Sequence, residues 1–96
     1  MEITKISEGV LSLKGRLDTV TAPKLQEALT EIIPTAEKIE LDFGGVDYVS
    51  SAGLRVLLQG HKNAQAAEKT MVLKNVNKEV MEVFDITGFS GILTFV

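Results

Sequence analysis

The sequence predicts an α/β fold: a mixed β-sheet of about five strands with helices, in the order β-β-α-β-α-β-α-β. Two observations carry this. Short apolar segments of strand character alternate with longer segments of helical spacing, which implies parallel strands joined by right-handed crossovers. The first two strand segments are separated only by Ser7-Glu8-Gly9, a turn-like tripeptide, so they read as an antiparallel hairpin and make the sheet mixed.

Each element has its own signal. Ile3 to Ile6 and Val10 to Leu13 form the hairpin strands, and Gly15-Arg16-Leu17-Asp18 leads out of the second into a loop. From Ala22 the period changes. Ala22, Leu25, Ala28, Leu29, Ile32 and Ile33 recur at helical spacing. Pro23 fits the first turn, where its missing N–H costs little, Thr21 stands where an N-cap is expected, and Pro34 ends the pattern. Ile39, Leu41 and Phe43 alternate with Glu40 and Asp42 as a strand, which Gly44-Gly45 is expected to break.

A second helix runs from about Ser51 to Ala67, with Leu54, Leu57, Leu58, His61 and Ala64 on one face. Val56, Gly60 and Ala67 form a flank of small and apolar residues suited to a neighbouring helix. Met71-Val72-Leu73 is the next strand. Asn75 or Asn77 caps a third helix carrying Val80, Val83 and Phe84. With Asn77 as the cap, Val76 and Met81 take the spacing of a hydrophobic staple. Gly88 stops this helix, and Ile92 to Val96 is the last strand. No internal repeat, low-complexity tract or linker interrupts the 96 residues, so residues 1–96 read as one domain.

Composition excludes several function classes. The chain is 45% hydrophobic, as folded proteins are, and it has no cysteine, which removes disulfides, zinc–thiolate sites and thiol nucleophiles together. The formal charge is −3, with no cluster among the ten basic residues. Nucleic acid is therefore not an expected partner, because its phosphates call for a basic face. The N-terminus has no signal-peptide pattern, and no apolar run approaches the roughly 18 residues of a membrane span. A cytoplasmic location is expected.

Ligands of open α/β sheets gather where strands end and helices begin. Two segments lie there: the Gly15–Thr21 loop and Gly44–Leu54. In the second, Ser50 and Ser51 stand together at a helix start. Capping accounts for one of them and leaves the other free. Gly53 has no local reason to be a glycine, since glycine inside a helix costs about 1 kcal/mol against alanine. Its missing side chain is expected to let another molecule approach the first turn. A phosphate on Ser51 would lie beside unpaired N–H groups at the positive end of the helix, and its charge of about −1.5 to −2 would repel a partner that binds the bare hydroxyl. Arg55, Gln59, Lys62 and Asn63, away from the apolar face, read either as a solvated face or as a polar rim around such a site.

Catalysis finds little support. Val49-Ser50-Ser51-Ala52-Gly53 lacks the first glycine of a nucleophile elbow. His61, the only histidine, lies about three turns along the same helix and reads as a half-buried, satisfied side chain. Asp18, Asp42 and Asp47 sit at strand ends, where solvated carboxylates are the ordinary case, and no Gly-Lys-Ser/Thr completes a phosphate loop. No catalytic residue, cofactor or metal site is expected.

Four segments together resemble a known family. They are Gly15-Arg16-Leu17-Asp18, Leu41-Asp42-Phe43, Tyr48-Val49-Ser50-Ser51-Ala52-Gly53-Leu54-Arg55-Val56-Leu57, and Val83-Phe84-Asp85-Ile86-Thr87-Gly88-Phe89. In order and spacing they are similar to the STAS domain of bacterial anti-sigma-factor antagonists. The resemblance implies a partner-switching cycle. The unphosphorylated antagonist binds an anti-sigma factor that is also a serine kinase, and the sigma factor is freed. The kinase then phosphorylates the antagonist at the start of the second helix, and a metal-dependent serine phosphatase of the PP2C type restores it. The acceptor pattern, a serine before a small residue and Gly-Leu, falls on Ser51, with Ala52 as the small residue. The resemblance implies that Asp18 helps form the kinase-binding surface, and Ser50, Ala52, Gly53, Leu54 and Arg55 beside Ser51 are expected to complete the partner surface. Some members have aspartate where this chain has Ser50, so two hydroxyls stand side by side. Family members often carry a further helix after the last strand, where this chain stops at Val96. A STAS interaction module of another pathway, in a stressosome or a lipid-transport complex, is the alternative reading.

Overall fold

In the computed structural model, which describes residues 1–96, the elements follow the expected order. They are β1 (Glu2–Ser7), β2 (Val10–Leu17), α1 (Ala22–Ile32), β3 (Lys38–Val49), α2 (Ser51–Ala66), β4 (Thr70–Lys74), α3 (Lys78–Thr87) and β5 (Thr94–Phe95). A single 3-10 turn, Phe89–Gly91, precedes β5. The five strands lie side by side in sequence order. β1 pairs antiparallel with β2, and every other neighbouring pair is parallel. The opening turn is shorter than the tripeptide: Ser7 belongs to β1, and Gly9 turns the chain at φ 79°.

All three helices pack on one face of the sheet. Ile39 and Met71 are register partners, and Met71 lies under Gly60 of α2. A Cβ on Gly60 would come within 2.8 Å of Leu29 Cδ1, so the glycine lets α2 close on α1. On the same face, Phe84 of α3 sits against Phe43 and Phe95, with ring centroids 6.2 and 5.3 Å away. Leu11, Leu13, Leu25, Ile39, Leu41, Phe43, Leu57 and Leu73 belong to one buried cluster of 21 residues between sheet and helices. The other face carries polar side chains, among them Glu40 and Lys74, paired at 3.4 Å.

Two strands, β2 and β3, are longer than expected because they stay paired through irregular register. Gly44-Gly45 does not break β3; it forms a bulge. Ser12 pairs with Asp42 but Lys14 with Gly45, so Phe43 and Gly44 together face Leu13. A Cβ on Gly45 would lie 3.0 Å from the Leu13 carbonyl oxygen. Glycine is thus what lets the two backbones stay paired. The strand continues to Val49, and its second half gives Gly15, Arg16 and Leu17 partners in Val46, Tyr48 and Val49. Gly15–Leu17 is therefore strand rather than loop. At the other end of the chain Ile92 closes the 3-10 turn, and the last strand shrinks to Thr94–Phe95.

The caps of α2 and α3 match expectation. Ser50 accepts from Gly53 N–H and Asn77 from Val80 N–H, while Gly88 ends α3 at φ 81°. Thr21 does not cap α1: its backbone is helical and its side chain bonds backward instead. Ala67 is exposed at the end of α2, so only Gly60 and the half-buried Val56 serve the packing of that flank.

Candidate functional site

Parallel pairing of β2 and β3 brings their C-terminal ends together, and the two segments singled out in the sequence leave from that edge. The register pair Leu17–Val49 is the last rung, and Ser50 N–H donates to the Leu17 carbonyl at 2.8 Å. The Asp18 loop and the start of α2 are thereby neighbours.

The Asp18 loop is closed on itself. Asp18 Oδ1 accepts the N–H groups of Val20 (3.0 Å) and Thr21 (3.1 Å). Thr21 Oγ1 accepts Asp18 N–H at 2.8 Å and donates to the Arg16 carbonyl at 2.7 Å. The Thr21 N–H is the largest influence holding the Asp18 carboxyl below its ordinary range, helped by the Thr21 hydroxyl, the Val20 N–H and the charge of Arg16. Arg16 Nε lies 3.7 Å from Asp18 Oδ2, and its guanidinium carbon is 4.1 Å from the centre of the Tyr48 ring.

At the start of α2 the two serines have different jobs. Ser50 has extended backbone, and its Oγ accepts Gly53 N–H at 3.3 Å while its carbonyl accepts Leu54 N–H at 2.9 Å. Ser51, the first helical residue, is exposed, and its hydroxyl makes no hydrogen bond within the chain. Ala52 is half-buried and Arg55 exposed. Leu54 is buried in the core.

Gly53 is a glycine for an internal reason. A Cβ there would sit 2.6 Å from Leu17 Cγ and 3.0 Å from the Leu17 carbonyl oxygen. The missing side chain makes room for the end of β2, not for an incoming molecule. The structure thus brings Asp18, Ser50, Ser51, Ala52 and Arg55 to one edge and puts Gly53 and Leu54 beneath them.

Other candidates fall away or change. Asp18, Asp42 and Asp47 do not converge: no three His, Asp or Glu side chains come together. Asp42 accepts from Gly44 N–H (2.9 Å) and from the Asn75 amide (3.1 Å), which hold its carboxyl below the usual range with help from Lys74. His61 is half-buried as expected, but its Nδ1 is buried without a partner rather than satisfied. Sequence reasoning missed Tyr48 and Val20, which stand 41% and 79% exposed beside the Asp18 loop. Two register shifts in β3, one at Gly44 and one that skips Asp47, put Tyr48 opposite Arg16, and neither is visible in the sequence pattern.

The family model described as "Mlab, STAS domain" matches residues 4–94. The chain belongs to the STAS domain family. Among its relatives, the BtrV protein of Bordetella bronchiseptica is 36% identical over 84 residues, covering 86% of this chain and 72% of that protein. The anti-sigma-B factor antagonist of Listeria monocytogenes is 36% identical over 81 residues, covering 82% of this chain and 70% of that protein. The solved anti-sigma factor antagonist from Mycobacterium paratuberculosis superposes with a TM-score of 0.83 at 22% identity, covering 98% and 85% of the two chains. SpoIIAA, the Bacillus cell fate determinant, superposes in its phosphorylated form with a TM-score of 0.73 at 17% identity, covering 99% and 89%. At these identities the two structures establish the shared STAS fold. No helix is long and apolar enough to cross a membrane.

Proposed function

We propose that this chain is an anti-sigma factor antagonist whose switch is phosphorylation of Ser51. Unphosphorylated, it binds an anti-sigma factor with serine kinase activity, and the sigma factor is released. The kinase passes the γ-phosphoryl group of ATP to Ser51 Oγ, leaving ADP, and the complex separates. A PP2C-type phosphatase hydrolyses the phosphoserine and resets the cycle. The chain itself is a binding module and a substrate of these enzymes, not an enzyme.

One observation carries this reading: Ser50 spends its side chain on the cap, so Ser51 presents a free, exposed hydroxyl at the first helical residue. A phosphate there adds about −1.5 to −2 charge where the helix N-terminus tolerates it and a partner surface does not. Ala52 and Arg55 follow Ser51 along α2, Asp18 follows Leu17, whose carbonyl holds Ser50 N–H, and Gly53 and Leu54 are buried beneath this edge. The name of the Listeria relative, anti-sigma-B factor antagonist, supports the same reading.

The test is intact-mass spectrometry after incubation with ATP, magnesium and the anti-sigma kinases of the source organism. One phosphate on the wild type and on Ser50→Ala, with none on Ser51→Ala, is the expected result. No phosphate from any of these kinases on a folded protein would overturn it in favour of a STAS interaction module in another pathway.

A further inference from the structure

The patch around Ser51 is small. Ser50, Ser51, Ala52, Arg55 and Asp18 are five residues, against the roughly 20–30 that a stable protein interface takes from each partner. A kinase that grips this edge must reach beyond it. Along α2 the next exposed residues, Gln59, Lys62 and Asn63, are polar. In the other direction lie Val20 and Tyr48, two of the six large apolar side chains that the fold leaves exposed. Interface cores are depleted of charge and enriched in aromatic residues and arginine, so the apolar direction is favoured.

That direction is also built as a unit. Arg16 and Tyr48 are register partners, so their side chains emerge on the same face of the sheet. Their neighbours Leu17 and Val49 point the opposite way, into the core under the helices. The Arg16–Tyr48 pair therefore sits on the helix-free face, just behind the edge that carries Ser51. Asp18 joins the two halves: it shapes the loop that presents Val20, and it pairs with Arg16. The guanidinium is held from below by the ring while the Arg16 side chain remains 60% exposed. A prepositioned arginine on an aromatic platform loses little freedom on binding.

We propose that Val20, Arg16 and Tyr48 carry the docking surface from the start of α2 around the sheet edge onto the helix-free face. The occupant is the anti-sigma serine kinase, which sets apolar side chains on Tyr48 and on Val20 and a carboxylate on Arg16. This rests on the antagonist reading of Ser51.

Binding of the purified kinase to the full chain, measured by calorimetry, tests it with five variants. Tyr48→Ala and Arg16→Ala are expected to weaken binding by at least about tenfold, near 1.4 kcal/mol. Tyr48→Phe, which keeps the ring, is expected to bind within about threefold of wild type. Thermal melts check that the variants are folded; should Tyr48→Ala unfold, the Arg16→Ala and Tyr48→Phe pair decides. Normal binding by Tyr48→Ala and Arg16→Ala, while Asp18→Ala and Ser51→Glu lose binding, overturns this proposal and leaves the antagonist reading standing. So does a change of oligomeric state in Tyr48→Ala without a change in kinase affinity, which would assign the patch to a second copy of the chain. If no anti-sigma kinase of the source organism binds even the wild type, both fall together.

Discussion

A Cβ built on Gly53 lies 2.6 Å from Cγ of Leu17, and the Leu17 carbonyl, 3.0 Å from the same point, is the acceptor of Ser50 N–H. The start of α2 is thus pressed onto the end of β2 with no room for a side chain. Overpacking of this kind costs about 1–3 kcal/mol. Alanine offsets about 1 kcal/mol of that through its helix propensity. Because the obstacle includes backbone as well as the flexible leucine side chain, the overpacking cost wins. Gly53→Ala is expected to lower the urea midpoint with an unchanged m-value. It should also slow phosphate uptake at Ser51, since the Ser50–Leu17 bond must shift. A variant as stable as wild type would show that the two segments are not in tight contact.

The two serines are expected to separate stability from modification. Ser50→Ala removes the cap of α2 and should destabilise the protein by about 1 kcal/mol, while the chain still accepts phosphate. Ser51→Ala removes a solvated hydroxyl with no internal partner, so its unfolding free energy should stay within about 0.5 kcal/mol of wild type. Denaturant titration beside intact mass checks both at once. The reverse pattern, a stability loss in Ser51→Ala and an unmodified Ser50→Ala, would exchange the two roles.

How much of this site could be read from the chain depends on which interactions are local. The Ser50 cap spans three residues, and the turn of α3 at Asn77 does too; both are visible as patterns because partner and donor are close in sequence. The bulge at Gly44-Gly45 is not. A glycine pair ordinarily ends a strand, and only the approach of the Leu13 carbonyl, some thirty residues away in sequence, shows that here it prolongs one. That feature prolongs the pairing of β2 through Leu17, and a second register shift, from Gly15–Val46 to Arg16–Tyr48 past Asp47, then sets Arg16 on Tyr48 and forms their platform. Gly53 is the opposite case. Its oddity was visible in the sequence, but its cause, Leu17, lies on another element. A glycine pattern alone does not distinguish space left for a ligand from space filled by the protein.

Asp18 should titrate below its ordinary value of 3.8, because its charged form accepts the N–H groups of Thr21 and Val20 and faces Arg16. A carboxyl whose folded pKa is depressed stabilises the folded loop above its unfolded value. That contribution is lost as pH falls through the lower, folded value. The loop is therefore expected to keep its geometry from neutrality down to about pH 4 and to loosen only below. The side-chain carboxyl resonance of Asp18, followed by NMR across this window, gives the midpoint. The amide of Thr21 should lose its hydrogen-exchange protection over the same range. A midpoint at or above 3.8 would mean that the loop bonds do not hold in solution. Asp42, held by Gly44 and Asn75, should also titrate low and serves as an internal comparison away from the Ser51 edge.

Thr21 is the buried polar side chain in this region, 9% exposed, and its hydroxyl accepts Asp18 N–H while donating to the Arg16 carbonyl. It touches no partner in the proposed complex, so its role is to position Asp18. Thr21→Val keeps the shape and removes both bonds, leaving a partly buried N–H and carbonyl unpaired at a cost of about 1–3 kcal/mol. If only stability were involved, kinase affinity measured well below the melting temperature would be unchanged. Positioning predicts more: affinity falls, the Asp18 midpoint moves up toward 3.8 as the loop opens, and Thr21→Ser, which restores the hydroxyl, recovers most of both. A Thr21→Val protein that is less stable but binds the kinase as wild type, with an unmoved Asp18 midpoint, would reduce Thr21 to a packing residue. The loop geometry argues against that, because the same hydroxyl ties Asp18, the residue after the strand end that holds Ser50, to the strand that presents Arg16 to Tyr48.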